Sequence, residues 1–306
     1  MATPSRAVLE QHHAWVAGDN AWQREARLRQ ARWREGQGLD AGLHRGVPLG
    51  SRLTEADGLP PRMANYLTPT IRTVVQRALA EKQRGALFKE DRLWCDLLSS
   101  QPLCFNLFGE LAADLKLAAQ VFEVWWPRRV DVVESIAFEW SPGRGDMKYT
   151  GNKSAFDVFV TYRGPRGRGF VGIEVKYHED LRGSAVRNDS RYRELTRAHG
   201  LVAECAMAEL ETLPLQQLWF DHLLALQMLA VDDWWQEGMF VVLFPEGNRH
   251  CSDAVARYRG LVGRQDTVDV LTLESAIGGL GQATDADWLR ALSDRYLGEA
   301  GAVAGG

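Results

Sequence analysis

Two strand-like segments carry charged side chains where a buried strand carries none, and this feature restricts the fold most strongly. Residues 155–162 contain Asp157, and residues 170–177 contain Glu174 and Lys176. Side chains of a β-strand alternate between its two faces, so Glu174 and Lys176 point the same way. The opposite face of that segment is apolar and consists of Val171, Ile173, Val175 and Tyr177. If the two segments pair as a hairpin, Asp157 joins Glu174 and Lys176, and two carboxylates beside an amine can form a metal-dependent hydrolytic site.

Length, charge and cysteine content exclude several other classes of protein. The 306 residues can form one large domain or two smaller ones. No run approaches the roughly 18 apolar residues that a membrane span needs, and the N-terminus has no apolar secretory core, so we expect a cytoplasmic protein. The four cysteines are too far apart in sequence for a zinc or dithiol motif. The formal charge of −4 argues against a protein that binds nucleic acid through bulk electrostatics, although one groove can still be basic.

The order of the predicted elements indicates the fold class. Helices are predicted over residues 6–35, 70–84, 103–121, 215–231 and 285–296. Strands are predicted over residues 134–140, 155–162, 169–177, 239–244 and 268–273. Residues 39–61 are rich in glycine and proline, which favours a loop. Hairpin-linked strands are antiparallel and a helical crossover brings in a parallel one, so we predict an α/β sandwich with a central mixed β-sheet. Residues 1–85 are predicted to form an α-helical N-terminal extension, and residues 86–306 the main domain.

The strand order and its acids resemble the PD-(D/E)XK phosphodiesterase superfamily, which includes many type II restriction endonucleases and repair nucleases. The resemblance covers about residues 86–244 and rests on Asp157 in the second strand and Glu174-Val175-Lys176 in the third. The chain departs from the motif in having Phe156, rather than proline, before the aspartate. Residues 101–108 and 138–144 are also similar to one restriction-endonuclease branch. The resemblance implies a three-layer α/β/α restriction-endonuclease-like core.

The resemblance also implies a chemistry for these residues. Asp157 and Glu174 would bind Mg²⁺, for which Mn²⁺ can substitute, together with the backbone carbonyl of Val175. Lys176 would position the attacking water. The expected activity is an endonuclease that hydrolyses DNA, in restriction or another form of genome defence. A palindromic cutter would work as a homodimer. The alternatives are a nuclease-fold module without catalysis that binds DNA or a protein partner, and a surface hairpin in which the charges form a cross-strand salt bridge.

Further candidates surround this cluster, each with a competing interpretation. Glu139 shares a strand face with Ala137 and is either a third acid of the metal site or an exposed acid. Glu110 is either an acid of the same site or part of a solvated helix face. Gln217 and Asp221 lie one turn apart on the crossover helix, where His222 is either a base or a core residue. Arginines after the third strand either line a DNA groove or form a salt-bridged face, and they are Arg182, Arg187, Arg191, Arg193 and Arg197.

Overall fold

The computed structural model describes residues 3–181 and 189–298. Within them the α-helices are α1 (Arg6–Gln11), α2 (Ala21–Gly36), α3 (Glu55–Gly58), α4 (Pro69–Ala80), α5 (Glu90–Trp94), α6 (Ser100–Ala113), α7 (Leu115–Trp125), α8 (Asp189–Ala198), α9 (Met207–Leu210), α10 (Leu215–Val231), α11 (Arg249–Leu261), α12 (Leu273–Ala283) and α13 (Asp287–Tyr296). The strands are β1 (Ala41–His44), β2 (Val47–Leu53), β3 (Val132–Trp140), β4 (Phe156–Gly164), β5 (Gly167–Val175), β6 (Glu237–Phe244) and β7 (Val268–Thr272).

A five-stranded mixed sheet forms the centre of the fold. Its strand order is β3-β4-β5-β6-β7, with β3, β4 and β5 antiparallel and β5, β6 and β7 parallel. The crossover between β5 and β6 contains α8, α9 and α10, since parallel neighbours cannot be joined by a tight turn. The predicted α/β sandwich with a mixed sheet is confirmed.

Helices cover both faces of the sheet and produce two hydrophobic cores. On one face, α6, α7 and α12 pack against residues such as Val171 and Ile173. On the other face, α10 and α11 pack against residues such as Phe170 and Phe240. Burial on both sides explains why β5 and β6 are almost continuously apolar, and it leaves a charged side chain in these strands without water unless it lies at a strand end.

A β-hairpin stands where the sequence predicts a loop. Within residues 39–61, β1 and β2 pair antiparallel, and His44 lies opposite Val47. The two linking residues, Arg45 and Gly46, both have positive φ angles of 53° and 79°. Two consecutive positive φ angles are typical of the type I′ turn, which matches the twist of paired strands. The loop prediction is wrong because the glycines of residues 39–61 lie in a tight turn and at positions where backbone segments pack closely, and not in an irregular loop.

The long helix predicted over residues 103–121 is two helices. The first, α6, ends at Ala113, and α7 begins at Leu115. Between them Asp114 has a φ of −125° and a ψ of 89°, outside the helical region, and its carboxylate accepts hydrogen bonds from the backbone N–H groups of Lys116 and Leu117. Aspartate favours this N-cap position because its side chain satisfies N–H groups that have no partner within the helix.

The regular strand alternation by which Glu139 is predicted to share a face with Ala137 breaks down at the end of β3. Trp140 and Phe156 lie in the core beneath α10, whereas Phe138 packs against the core on the other face. Glu139, between Phe138 and Trp140, has a φ of 50°, which disrupts the extended alternation of the strand. Trp140 therefore stacks on Phe159, with ring centroids 3.7 Å apart.

Helix α2 packs into the core of the main sheet. Trp22 on α2 lies in the same hydrophobic core as β4 and β5. Its indole Nε1 donates to the carbonyl of Tyr177 at 3.1 Å, just beyond the end of β5. The division at residue 85 stays a prediction.

Candidate active site

The side chains of Glu174 and Lys176 meet where β5 ends. Lys176 Nζ lies 2.6 Å from Glu174 Oε1. Both side chains are largely buried, since 7% of the Glu174 side chain and 12% of the Lys176 side chain are exposed. The contact follows from the period of the strand, in which residues i and i+2 share a face.

Asp157 is joined to the same strand end through the backbone. Its Oδ2 accepts a hydrogen bond from the N–H of Val175 at 2.8 Å. The pairing of β4 with β5 aligns Val158 with Ile173, which places Asp157 beside Glu174 where the two strands separate. The hairpin proximity predicted from the sequence therefore occurs in the structure.

Burial and like charge shift the ionisation of this cluster. Burial raises the pKa of Asp157 well above its usual value, Glu174 raises it further, and Lys176 opposes the shift. Burial lowers the pKa of Lys176, but the Glu174 and Asp157 carboxylates outweigh that effect and raise it above its usual value. The amine is therefore a fixed cation, and it compensates only part of the negative charge around it.

The crossover helix α10 contributes two polar side chains to this cluster. Gln217 Nε2 donates to Glu174 Oε1 at 2.6 Å, so that oxygen receives hydrogen bonds from both Gln217 and Lys176. Asp221, one turn further along, is 5% exposed, and burial followed by the charge of Glu174 raises its pKa well above the usual value. The spacing of four residues brings both side chains to one face of the helix. The sequence does not reveal that this face turns toward Glu174.

Glu139 lies near the cluster but is bonded elsewhere. Its Oε1 accepts from the N–H of Leu87 and from Arg144 Nη2, both at 3.4 Å. Burial raises the pKa of Glu139; Arg144 opposes the shift and Glu174 adds to it, so the two carboxylates are close enough to interact. The positive φ of Glu139 is a strained backbone conformation of the kind that occurs at functional sites.

The structure places Glu110 and His222 in other surroundings. The Glu110 carboxylate accepts a hydrogen bond from the Thr68 hydroxyl at the start of α4. His222 is fully buried, with its ring nitrogens 2.9 Å from Tyr258 Oη and 2.8 Å from Thr267 Oγ1. Burial lowers the pKa of His222 to about 3. Both contacts fit the structural interpretation of these residues rather than the catalytic one.

Glu179 is a neighbour of the cluster that the motif does not indicate. Its Oε1 accepts from the N–H of Ser100 at 3.0 Å at the start of α6, and it also pairs with Arg92. Although burial raises the pKa of Glu179, Arg92 and then Lys176 lower it below its usual value. An acid three residues after a motif lysine is the signal that could have found it.

The arginines considered for a DNA groove are mostly engaged with acids. Arg191 and Arg197 contact Glu194 and Glu204 at 2.9 and 2.6 Å. Arg193 pairs with Glu211. Arg182 and Arg187 lie outside the described residues.

The basic turn between β4 and β5 stands far from the cluster. It follows the end of β4, where Arg163 is six residues from Asp157 along the strand. At about 3.3 Å per residue this amounts to roughly 20 Å, at the opposite end of the strands. The turn therefore does not flank the acids.

The cluster offers oxygen ligands of the kind that a hard divalent cation prefers. Among the described residues, the hydrogen bonds of Asp157 and Glu174 engage Oδ2 and Oε1, which leaves Asp157 Oδ1 and Glu174 Oε2 without a protein donor. No group of three His, Cys, Asp or Glu side chains in residues 3–181 and 189–298 is arranged to hold a metal ion. A cation here would have two carboxylates, a backbone carbonyl and water, and Mg²⁺ is usually bound with few protein ligands and several waters.

Comparison with known families gives one match. The sequence profile of the PD-(D/E)XK nuclease superfamily matches residues 17–298. The chain belongs to this superfamily. PD-(D/E)XK proteins are generally phosphodiesterase nucleases that use divalent metals, and the match includes both the N-terminal helices and the strands that carry Asp157 and Glu174.

Two other comparisons give no match. Neither a curated protein nor a solved structure is significantly similar to this PD-(D/E)XK chain. Among the described helices, none is long and apolar enough to cross a membrane.

Proposed function

We propose that this protein is a Mg²⁺-dependent endonuclease that hydrolyses phosphodiester bonds in DNA. One observation supports the proposal most strongly: Glu174 and Asp157 are each held through one oxygen, while their second oxygens have no protein donor among the described residues. A carboxylate pair fixed in this way is preorganised for a hard cation. Restriction or another form of genome defence is the biological role that we associate with the activity.

Each residue has a defined part in the proposed mechanism. Asp157, Glu174 and the carbonyl of Val175 would hold the cation, which lowers the pKa of water and offsets the charge that develops on the phosphate. Lys176 is anchored to Glu174 at 2.6 Å and holds the attacking water through its remaining N–H groups. Glu139 is proposed as an additional acid that orients water near the pair.

The charges of the cluster make contact with a phosphate depend on a cation. The carboxyl groups of five acids interact electrostatically with one another or with Lys176 here, and Lys176 contacts Glu174; the acids are Asp157, Glu174, Glu139, Glu179 and Asp221. An anionic phosphodiester would be repelled from such a site unless a divalent cation neutralised the carboxylates. We therefore expect productive contact with DNA to depend on the metal.

Plasmid cleavage tests the proposal. Purified protein is incubated with supercoiled plasmid and Mg²⁺ or Mn²⁺, with EDTA as the metal-free reference. Asp157→Ala and Lys176→Ala are expected to reduce the cutting rate at least about 100-fold, since each removes a group that acts on the reacting water or the cation. The matched control is Lys148→Ala, because Lys148 also pairs with a buried acid, Asp232, at 2.5 Å but lies outside the cluster.

The outcomes of this assay distinguish the proposed endonuclease from a contaminating nuclease and from a module without catalysis. Cutting by wild type and Lys148→Ala, but not by the other two variants, supports the proposal. Equal nicking by all four proteins identifies a contaminating nuclease and contradicts it. DNA binding without cutting in either metal would assign the chain to the alternative class, a nuclease-fold module without catalysis.

A further inference from the structure

Asp221 is a buried acid with an unsatisfied carboxyl oxygen. It lies on α10 and is 5% exposed, and its Oδ2 has no hydrogen-bond partner among the described residues. A buried carboxyl oxygen without a partner destabilises a fold, so such groups are rare away from functional sites. After burial, the charge of Glu174 is what raises the pKa of Asp221 most.

Gln217 connects Asp221 to Glu174. Its Nε2 lies 2.6 Å from Glu174 Oε1, and Gln217 stands one helical turn before Asp221 on the same face of α10, where it lowers the pKa of the Asp221 carboxyl. A carboxylate only accepts hydrogen bonds, whereas an amide nitrogen carries two N–H donors. A glutamine between two carboxylates therefore satisfies both only when its nitrogen, not its oxygen, faces them.

We propose that Asp221 is a positioning residue that holds the Gln217 amide nitrogen against Glu174 Oε1 and thereby keeps Glu174 Oε2 free for a divalent cation. The inference rests on the proposed function, because it assigns a task to Glu174 at the same site. Asp221 itself does not touch the cation or the DNA. Its effect passes through Gln217 and is an outer-shell interaction of the kind that orients metal ligands.

Gln227 on the same helix shows what an ordinary structural glutamine looks like here. It is 7% exposed, its Oε1 lies 3.0 Å from His199 Nε2, and its Nε2 donates to the carbonyl of Lys148 at 2.9 Å. Neither contact involves a carboxylate of the cluster. Gln227→Leu is therefore a matched control for Gln217→Leu, since both replace a partly or fully buried amide on α10.

Calcium binding tests the inference without measuring activity. Ca²⁺ is titrated calorimetrically into the full-length wild type and into the variants Gln217→Leu, Asp221→Leu, Gln217→Leu/Asp221→Leu and Gln227→Leu. Gln217→Leu and Asp221→Leu are each expected to weaken binding by about 10- to 100-fold, the usual effect of removing an outer-shell partner. The double variant should bind no more weakly than either single variant, because the two residues act in series. Gln227→Leu should bind as wild type does.

A conservative variant and a melting curve distinguish positioning from other effects. Asp221→Asn keeps an oxygen that can accept from Gln217 and should retain most of the affinity. Asp221→Leu should unfold at a temperature no lower than wild type, since Oδ2 has no partner to lose. If the melting midpoint of Asp221→Leu lies well below that of wild type, Asp221 is a residue that stabilises the core. If Asp221→Asn and Asp221→Leu bind Ca²⁺ equally weakly, the loss of affinity comes from the lost charge and not from positioning. Either result overturns the inference.

Two further results refute different claims. If wild type binds Ca²⁺ and Asp221→Leu binds it equally well, the positioning role is wrong while the proposed function stands. If wild type binds no Ca²⁺, the metal dependence of the proposed function fails, and the inference fails with it.

Discussion

Replacing Lys176 with methionine should strongly destabilise the fold at pH 8. The side chains are similar in length, but methionine leaves Glu174 without the ammonium that lies 2.6 Å from its Oε1. At an effective dielectric constant of about 20, that distance corresponds to an attraction of about 6 kcal/mol. The variant no longer pays to desolvate the ammonium, so the net loss is smaller. Removing one partner of a buried ion pair typically costs about 3–5 kcal/mol, which is the loss that we expect.

Urea denaturation measures this loss as the difference in the free energy of unfolding. Glu174→Gln/Lys176→Met should recover most of it, because no unpaired charge then remains buried. Arg197→Met is the control, since it breaks an exposed ion pair with Glu204 and should leave stability close to that of wild type. A loss below about 1 kcal/mol for Lys176→Met would mean that the pair behaves as a surface salt bridge, and the account of a buried charged cluster would be wrong.

The destabilisation of Lys176→Met should shrink in acid. Burial and then Glu174 raise the pKa of Asp157, and the Lys176 ammonium opposes that shift, so its loss raises the pKa further. A carboxyl with a raised pKa in the folded state stabilises the fold below its unfolded pKa of about 3.9, and this stability is lost as the pH rises through the folded value. The difference from wild type should therefore be larger at pH 8 than at pH 5. An equal difference at both values would contradict this reasoning.

Two other predictions concern stability away from the charged pair. A Cβ at Gly172 would lie 2.6 Å from the Phe156 ring, so Gly172→Ala should lower the free energy of unfolding by about 1–3 kcal/mol in thermal melts. Gly278 on α12 has nothing within 4 Å of a Cβ, so Gly278→Ala should be neutral or slightly stabilising in the same assay. Burial lowers the pKa of His222 from 6.5 to about 3, so stability is lost as the pH falls below 6.5, by about 2 kcal/mol between pH 7 and pH 5. His222→Gln should remove that part of the pH dependence, and an unchanged slope would refute the assignment.

The central sheet and the proximity of Asp157, Glu174 and Lys176 can be predicted from the sequence alone. Strand alternation places Glu174 and Lys176 together without any tertiary information, because the rule acts over two residues. Hairpin pairing brings in Asp157, since the turn sets the register. These inferences rely on local geometry, which the residue pattern specifies directly.

The α10 contacts could not be predicted in the same way. The pattern of the helix places Gln217 and Asp221 on one face, but nearly every side of α10 is apolar or buried, so no stripe shows which face meets the sheet. The rotation of such a helix is set by side-chain packing against β5 and β6. Only the structure therefore reveals that Gln217 reaches Glu174 Oε1.

Backbone conformation accounts for the remaining errors. A positive φ at Glu139 moves Trp140 to the other face of the sheet, and no pattern of apolar residues signals this change in a residue other than glycine. The β1–β2 hairpin was missed because its glycines also fit a loop.

Anomalous scattering from crystals grown with Mn²⁺ shows whether a cation binds at the end of β5. We expect one strong peak between Asp157 and Glu174, with Asp157 Oδ1, Glu174 Oε2 and the Val175 carbonyl at about 2.0–2.4 Å, and no such peak in Asp157→Ala. Mn²⁺ bound only elsewhere, or bound equally in Asp157→Ala, would contradict a metal-dependent site at the end of β5.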